Sequence, residues 1–539
     1  MRSAFTVSIL ALASACSDEG SDPATPPSEA ADDSEDWYEY GNGDANGDRD
    51  ALDDRVGSAG AASGPTLSDR RLAVRTVVSG LKQPIAMAFL AADDFFVTEK
   101  ATGRVKRVEK GKVTATVLDL PVNSAEERGL LGIALHPRFE DNGWVYLYWT
   151  ESSTGKDSKE LDEVGNPHSD YAPGTPRPLG NRVDRFVWDA EEQSLTFDRN
   201  LVVLHAYQAD EDQPEAANHN GGVLRFEKPP ADQAEDEHAR LFIIIGDNGR
   251  RGLLQNLEHG PFGRREPDDQ FGGPEPDDAH LTGVVLRLND DGSVPEDNPF
   301  IEAGKSEGGD PGANLTKVYA YGIRNSFGMA VDPETGTLWE SENGDDSFDE
   351  INRIEPGHNG GWVQIMGPLD RIDEYKEIET TFGSEDLQQL RWPPTNIADS
   401  SEKARLSLVR LEGSRYADPE FSWKWSVAPA ALGFISDDSL GGRYEGDFVV
   451  GAAVPEPAGG YLYRFELGIK RRNLRFSDDA LDDRVADNTE KYDGTESESL
   501  RFGQGFGVTT DIQTGPKGNL YVVSNTSEVV YEIYRRRED

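Results

Sequence analysis

Cysteine is almost absent from this chain. Cys16 is the only one in 539 residues, so no disulfide can form within the chain. Cations are also short of parity: 54 Lys and Arg face 100 Asp and Glu, for a net charge of −46. That charge argues against nucleic acid as a partner and for a solvated acidic surface. Long alanine-leucine helical runs are scarce, whereas glycine (56) and tryptophan (9) are frequent. The balance predicts an all-β protein with many turns.

The lone cysteine has an informative position. Met1 to Ala15 offers Arg2, an apolar core and the small residues Ala-Ser-Ala before Cys16. The stretch is too short for a stable membrane span and reads as a secretory signal, 1–16, with Cys16 as the lipid-accepting residue of an exported lipoprotein. The expected location is the periplasm or cell surface, with membrane contact only through that anchor. Residues 17–70 are acidic, rich in Pro, Gly, Ser and Ala, and poor in aliphatic side chains, at least up to Gly64. Such a segment cannot offset its ordering entropy and is expected to be a disordered linker. Within it, Asp44 to Asp54 alternates oxygen-bearing residues like a calcium loop. Arg49 at the usual glycine position and the lack of a closing Glu favour plain acidic linker.

From residue 71 to 539 one pattern recurs: a β-rich strand, a Gly/Asp/Asn turn, then another strand. The pairs are Phe95–Glu99 with Gly103–Val108, Val145–Trp149 with Arg182–Phe186, and Leu241–Asp247 with Gly283–Leu288. Leu338–Glu342 with Asp349–Ile354, Phe448–Gly451 with Tyr461–Phe465, and Leu520–Ser524 with Val529–Tyr534 complete the series. Six such units predict a six-bladed β-propeller with four-stranded blades. Its ligand site is expected over the central channel, with the polar insertions Ser152–Gly180, Arg250–His280 and Gly367–Tyr416 forming a rim.

The chemistry-bearing residues fall at strand ends. His219, in Asn218-His-Asn-Gly-Gly222, precedes the strand Val223–Phe226, and Asp247 ends the next one. A histidine and a carboxylate on adjacent strand ends suit a general base and its orienting partner. Tyr321-Gly-Ile-Arg-Asn-Ser-Phe-Gly-Met-Ala330 and Ser341-Glu-Asn-Gly344 place Arg324, Asn325 and several carboxylates inside strand-like sequence. Such groups are tolerated in an interior only when paired or when they hold a ligand.

These motifs, with Glu127–Pro137, Leu281–Asn289 and Gly515–Tyr521, occur in an order that resembles the PQQ-dependent sugar dehydrogenases. This is the soluble glucose and sorbosone dehydrogenase family of six-bladed propellers. The resemblance runs from about Leu81 to the C-terminus and implies oxidation of a sugar, with hydride passing to PQQ and thence to an electron acceptor. It implies His219 as the base, Asp247 as its orienter, and Arg324 as a positive charge beside the reduced quinone. Glu127 and Asn325 would be further cofactor contacts, and Gly344 and Asp345 would offer backbone carbonyls to calcium.

The chain departs from that pattern in places. The family's fifth-blade lysine is missing from Gly451–Gly460, and two arginines before the last Gly-Pro are replaced by Val508 and Thr510. PQQ is a tricarboxylate, so three fewer cations weaken its recognition. The calcium turn reads Gly344-Asp345, where Asp345, Asp346, Asp349 and Glu350 are expected to supply spare oxygen ligands. Two other readings follow. One is a non-catalytic, calcium-dependent propeller that binds a glycan or protein. The other is a calcium-dependent hydrolase of the lactonase kind, for which the sequence shows no evident side-chain ligand cluster.

Overall fold

The β-rich segments pair as their alternation dictates. In the computed structural model, residues 64–125, 127–157, 178–206, 219–229, 237–248, 256, 281–381, 394–453 and 459–537 are described. The signal peptide, the Asp44–Asp54 loop, Asn218 and Arg250 lie outside them. Six sheets form in chain order. Pro84–Ala91, Asp94–Glu99, Arg104–Glu109 and Lys112–Asp119 make the first. Leu130–Leu135, Trp144–Ser152, Pro178–Asp189 and Ser194–Leu204 make the second. Leu224–Phe226, Arg240–Ile245, Val284–Asn289 and Val318–Tyr321 begin the third. Ser326–Val331, Leu338–Glu342, Ser347–Ile354 and Phe421–Trp425 begin the fourth. The fifth holds Pro429–Phe434, Phe448–Ala452, Tyr461–Leu467 and Arg501–Gln504. The sixth holds Thr509–Thr514, Leu520–Ser524, Val529–Arg535 and, from the start of the fold, Leu72–Ser79.

The first strand of each sheet packs on the first strand of the next. Thr509–Thr514 returns to Pro84–Ala91, so the ring closes as a β-propeller. Second strands such as Leu338–Glu342 and Leu520–Ser524 are buried at every position. They lie mid-sheet with neighbouring sheets on both faces, which is why they read as continuous runs rather than alternating ones. Aromatic clusters fill the gaps between sheets: Trp339, Trp423, Phe448 and Phe465 meet between the fourth and fifth.

Uniform four-stranded sheets were expected, and here the structure differs. Only the first, second and sixth have four strands. His358–Asn359 and Arg415–Tyr416 extend the third in parallel, Val485–Ala486 extends the fourth, and Thr66–Leu67 and Leu474–Arg475 extend the fifth. These additions come from long connections whose backbone groups find partners on open sheet edges. Short helices such as Ile372–Thr381 and Ser401–Ser407 lie in the same connections.

One backbone motif repeats at the end of the ring where chains enter the inner strands. Near the end of a second strand, an N–H donates to the carbonyl just before the first strand. Lys100 bonds Gln83 at 3.0 Å, Thr150 bonds Gly129 at 2.9 Å and Asn343 bonds Asn325 at 2.8 Å. Ala453 bonds Ala428 at 2.8 Å and Asn525 bonds Val508 at 2.9 Å. Asn325, Ala428 and Val508 therefore hold corresponding places on one rim.

Candidate active site

On the third and fourth sheets that rim is polar and buried. His219 and Asp247 are fully buried, and His219 Nδ1 lies 2.5 Å from Asp247 Oδ1. Trp362 Nε1 donates to Asp247 Oδ2 at 2.8 Å. Burial alone would raise the Asp247 carboxyl, but the facing His219, its hydrogen bond, Arg324 and Trp362 hold it below the ordinary value. An ionised Asp247 holds a proton on Nδ1, which leaves Nε2 to do the acid–base work. Gly246 makes the close approach possible: a Cβ there would stand 2.6 Å from Arg324 O and 2.7 Å from His219 O.

Glu127 ties the second sheet to this pair. Its Oε2 accepts the His219 backbone N–H at 2.5 Å and Asn325 Nδ2 at 3.4 Å. Burial pushes its carboxyl up to about 7, against the His219, Asn325 and Arg324 contacts. Glu127 Oε1, Asn325 Oδ1 and Asn248 Oδ1 are buried without a hydrogen-bond partner among the described residues. Buried acceptors left so are uncommon and suit a ligand that donates.

Arg324 is locked in place. Its backbone N–H donates to Glu342 Oε1 at 2.5 Å, and Nη1 donates to Asn343 O at 3.0 Å. Nη2 reaches Asp345 Oδ1 at 3.5 Å, and the guanidinium sits 5.5 Å from the Trp362 ring centroid. Six of the seven expected residues, Glu127, His219, Asp247, Arg324, Asn325 and Asp345, are thus linked by direct contacts.

The Gly344–Asp345 turn is tight, since a Cβ on Gly344 would meet Ser347 O at 1.9 Å. Asp345, Asp346 and Glu379 bring ligand atoms within 4.8 Å of one another. Glu379 Oε1 accepts Ser347 Oγ at 2.6 Å and the N–H groups of Ser347 and Asp346 at 3.0 and 3.1 Å. Its Oε2 is buried with no hydrogen-bond partner among the described residues. Burial and nearby Asp346 push Glu379 up to about 7. Burial also raises Asp345, with Glu379 and Asp346 adding and Arg324 opposing. Three crowded oxygen donors suit a hard cation.

Two expectations about this turn need correction. Asp349 and Glu350 do not supply spare oxygens. Asp349 accepts from Gly344 N at 2.8 Å, Val427 N at 2.5 Å, Ala428 N at 2.7 Å and Ser426 Oγ at 2.9 Å. Glu350 accepts from Gly367 N at 2.6 Å and Asn352 Nδ2 at 2.8 Å. A side-chain ligand cluster, judged missing from the sequence, does form once Glu379 is included. Trp362 and Glu379 escaped the sequence reading because both come from the connection between the third and fourth strands of the fourth sheet. The tryptophan in Asn359-Gly-Gly-Trp-Val363 was the one available signal.

On the fifth and sixth sheets the corresponding rim positions Ala428, Ala453 and Val508 are apolar, and Asn525 donates its side-chain amide to Pro84 O at 3.3 Å. Val508 is buried, and it packs with Ala428 and Ala453 beneath Tyr492. Thr510 is half-buried, its hydroxyl donating to Pro84 O at 3.3 Å.

Residues 81–389 match the Glucose / Sorbosone dehydrogenase family. An uncharacterized protein of Synechocystis sp. is 28% identical over 459 residues, covering 83% of each chain. Quinoprotein glucose dehydrogenase B of Acinetobacter calcoaceticus is 30% identical over 302 residues, 55% of this chain and 53% of that relative. The match thus spans about half of that enzyme's length. The PQQ-bound aldose sugar dehydrogenase of Streptomyces coelicolor superposes with a TM-score of 0.50 at 21% identity, covering 88% of this chain and all of that one. At that identity the likeness concerns the fold.

Proposed function

The chain belongs to the Glucose / Sorbosone dehydrogenase family, and from that membership we propose that it is an exported PQQ-dependent dehydrogenase oxidising an aldose or related alcohol. Each of the six sheets is read as one blade of the propeller. The observation that carries the reading is the buried His219–Asp247 pair set beside Arg324 and Asn325. When bound, PQQ would supply the hydride acceptor. The residues on the third and fourth sheets suit it: Arg324 would face its anionic edge, and Asn325 and Glu127 would border it. The unpartnered acceptors on Glu127, Asn248 and Asn325 suit the hydroxyl donors of a sugar.

The work of the chain's own residues follows from their contacts. His219 Nε2 takes the proton of the substrate hydroxyl, and Asp247 stabilises the imidazolium that results. Trp362 and Gly246 hold Asp247 and the His219 loop in register. Arg324, braced by Asn343 and Asp345, keeps a fixed positive charge where negative charge builds up. Gly344 and Asp345, with Glu379, would hold calcium through oxygen, while Asp346 stays paired with Lys491.

The test is dye reduction by protein loaded with PQQ and calcium across a panel of aldoses. His219→Ala should lower kcat about 10²–10⁴-fold. A loaded protein that reduces no acceptor with any aldose would overturn the reading. The apolar rim at Val508 favours one alternative, a calcium-dependent propeller that binds a glycan or protein without turnover. PQQ-dependent turnover lost in His219→Ala would rule it out. Export and lipid attachment at Cys16 rest on the sequence, and Cys16→Ser should release the protein from membranes.

A further inference from the structure

The site has two unlike sides, and the difference is built by one segment. Between the strands Tyr461–Leu467 and Arg501–Gln504 of the fifth sheet, the chain travels across to the fourth sheet and back. On its return Lys491 forms an ion pair with Asp346, at the turn that also carries Asp345. The next residue, Tyr492, turns through a left-handed backbone (φ 64°) and donates its N–H to Ser426 O at 2.8 Å. Ser426 in turn bonds Asp349. Tyr492 is thereby pinned over Ala428, Ala453 and Val508.

Those three positions matter because of the repeated backbone bond. Ala428 and Val508 correspond to Asn325, and Ala453 corresponds to Asn343, which braces Arg324. Where the fourth sheet offers an amide and a guanidinium, the fifth and sixth place two methyls and an isopropyl group under the Tyr492 ring, and Asn525, the sixth sheet's counterpart of Asn343, turns its amide to Pro84 O at 3.3 Å. The neighbouring cation, Lys491, is directed to Asp346. Desolvating a ligand carboxylate against methyl groups and a ring face is unfavourable, because those groups do not repay its lost hydration. An uncharged ring loses little by the same contact and gains apolar burial.

We propose that Tyr492, with Ala428, Ala453 and Val508, is the specificity-determining wall of this site. It accepts an uncharged ring face and disfavours ligand carboxylates, so negative charge on a ligand is held from the Arg324 side alone. This inference rests on the cofactor reading above and concerns how this chain holds that group.

The experiment is titration of PQQ into calcium-loaded protein, followed by tryptophan fluorescence. Val508→Arg restores a cation on the wall and should tighten PQQ binding at least ten-fold. Because an arginine at a buried position can unfold the sheet, Tyr492→Lys, at a half-buried one, carries the same expectation. Tightening in either folded variant supports the wall. If wild-type protein binds PQQ and neither folded variant binds it more tightly, the wall does not discriminate and the cofactor reading stands without it. Absence of PQQ binding by wild type and both variants overturns the cofactor reading, and this inference with it.

Discussion

Trp362 Nε1 lies 2.8 Å from Asp247 Oδ2, the oxygen that His219 does not use. One buried carboxylate is therefore held from two directions, and its orientation toward the imidazole depends on an indole 115 residues further along the chain. Trp362→Phe keeps most of the packing and deletes this one bond. The loss should cost about 1–3 kcal/mol at the buried carboxylate. The expected result is a kcat at least ten-fold lower with an unchanged fold by circular dichroism. A kcat equal to wild type would show that Asp247 needs no second anchor.

Asp349 joins the two sides of the rim, accepting from Gly344 on the fourth sheet and from Val427 and Ala428 at the entrance to the fifth. Asp349→Ala leaves four buried donors without an acceptor. It should destabilise the protein by at least about 3 kcal/mol in urea unfolding, since each buried donor left unpaired costs about 1–3 kcal/mol. A loss of unfolding free energy under about 1 kcal/mol would mean that the turn closes without it.

Glu340, Glu342 and Glu350 surround the single amide of Asn352, at 2.9, 3.3 and 2.8 Å. Burial raises Glu340 from its ordinary 4.5 to about 7 and Glu350 to about 8. The folded state thus keeps protons that the unfolded chain has released, so stability should fall as pH rises from about 4.5 to 8. Glu340→Gln removes one of these protonations and should flatten the fall. Thermal melts at pH 5 and pH 8 measure it, and an unchanged slope would count against the cluster as its source.

Asp290 shows the opposite sign. Burial opposes its charge, yet hydrogen bonds from His136, His238 and the Ala239 N–H bring it from 3.8 to about 2. Its contribution is complete above pH 3.8 and disappears as pH falls through about 2. The amount is on the order of 2 kcal/mol. Asp290→Asn should be less stable at pH 5 and should lose less on acidification. Parallel acid limbs for the two proteins would contradict it.

How much of this was legible in the sequence depended on the range of the contact. Phe95–Glu99 announces its pairing with Arg104–Glu109 through apolar residues and a glycine turn a few residues away. His219 and Asp247 could be matched because both close neighbouring strands. Glu379 could not: it reaches Ser347 from the helix Ile372–Thr381, 32 residues away, and helical spacing does not reveal what a buried face will meet. Tyr492 on Val508 is equally hidden: the sequence shows the missing arginine, and only packing shows what covers the gap. Asp349 and Glu350 looked like free oxygens because a sequence does not reveal which backbone N–H groups turn toward a carboxylate.

The ring is fastened by strands from opposite ends of the fold, with Val74 opposite Ile533 in the sixth sheet. That contact closes a loop of more than four hundred residues, which carries a large entropic cost until the intervening sheets are in place. Folding should therefore be slow, and limited by this late closure rather than by any single hairpin. A ribosome-bound chain that has not yet released Val529–Arg535 can form individual sheets but not the closed rim. His219, Arg324 and Val508 take up their mutual positions only once the ring is sealed, so cofactor binding would report completed folding.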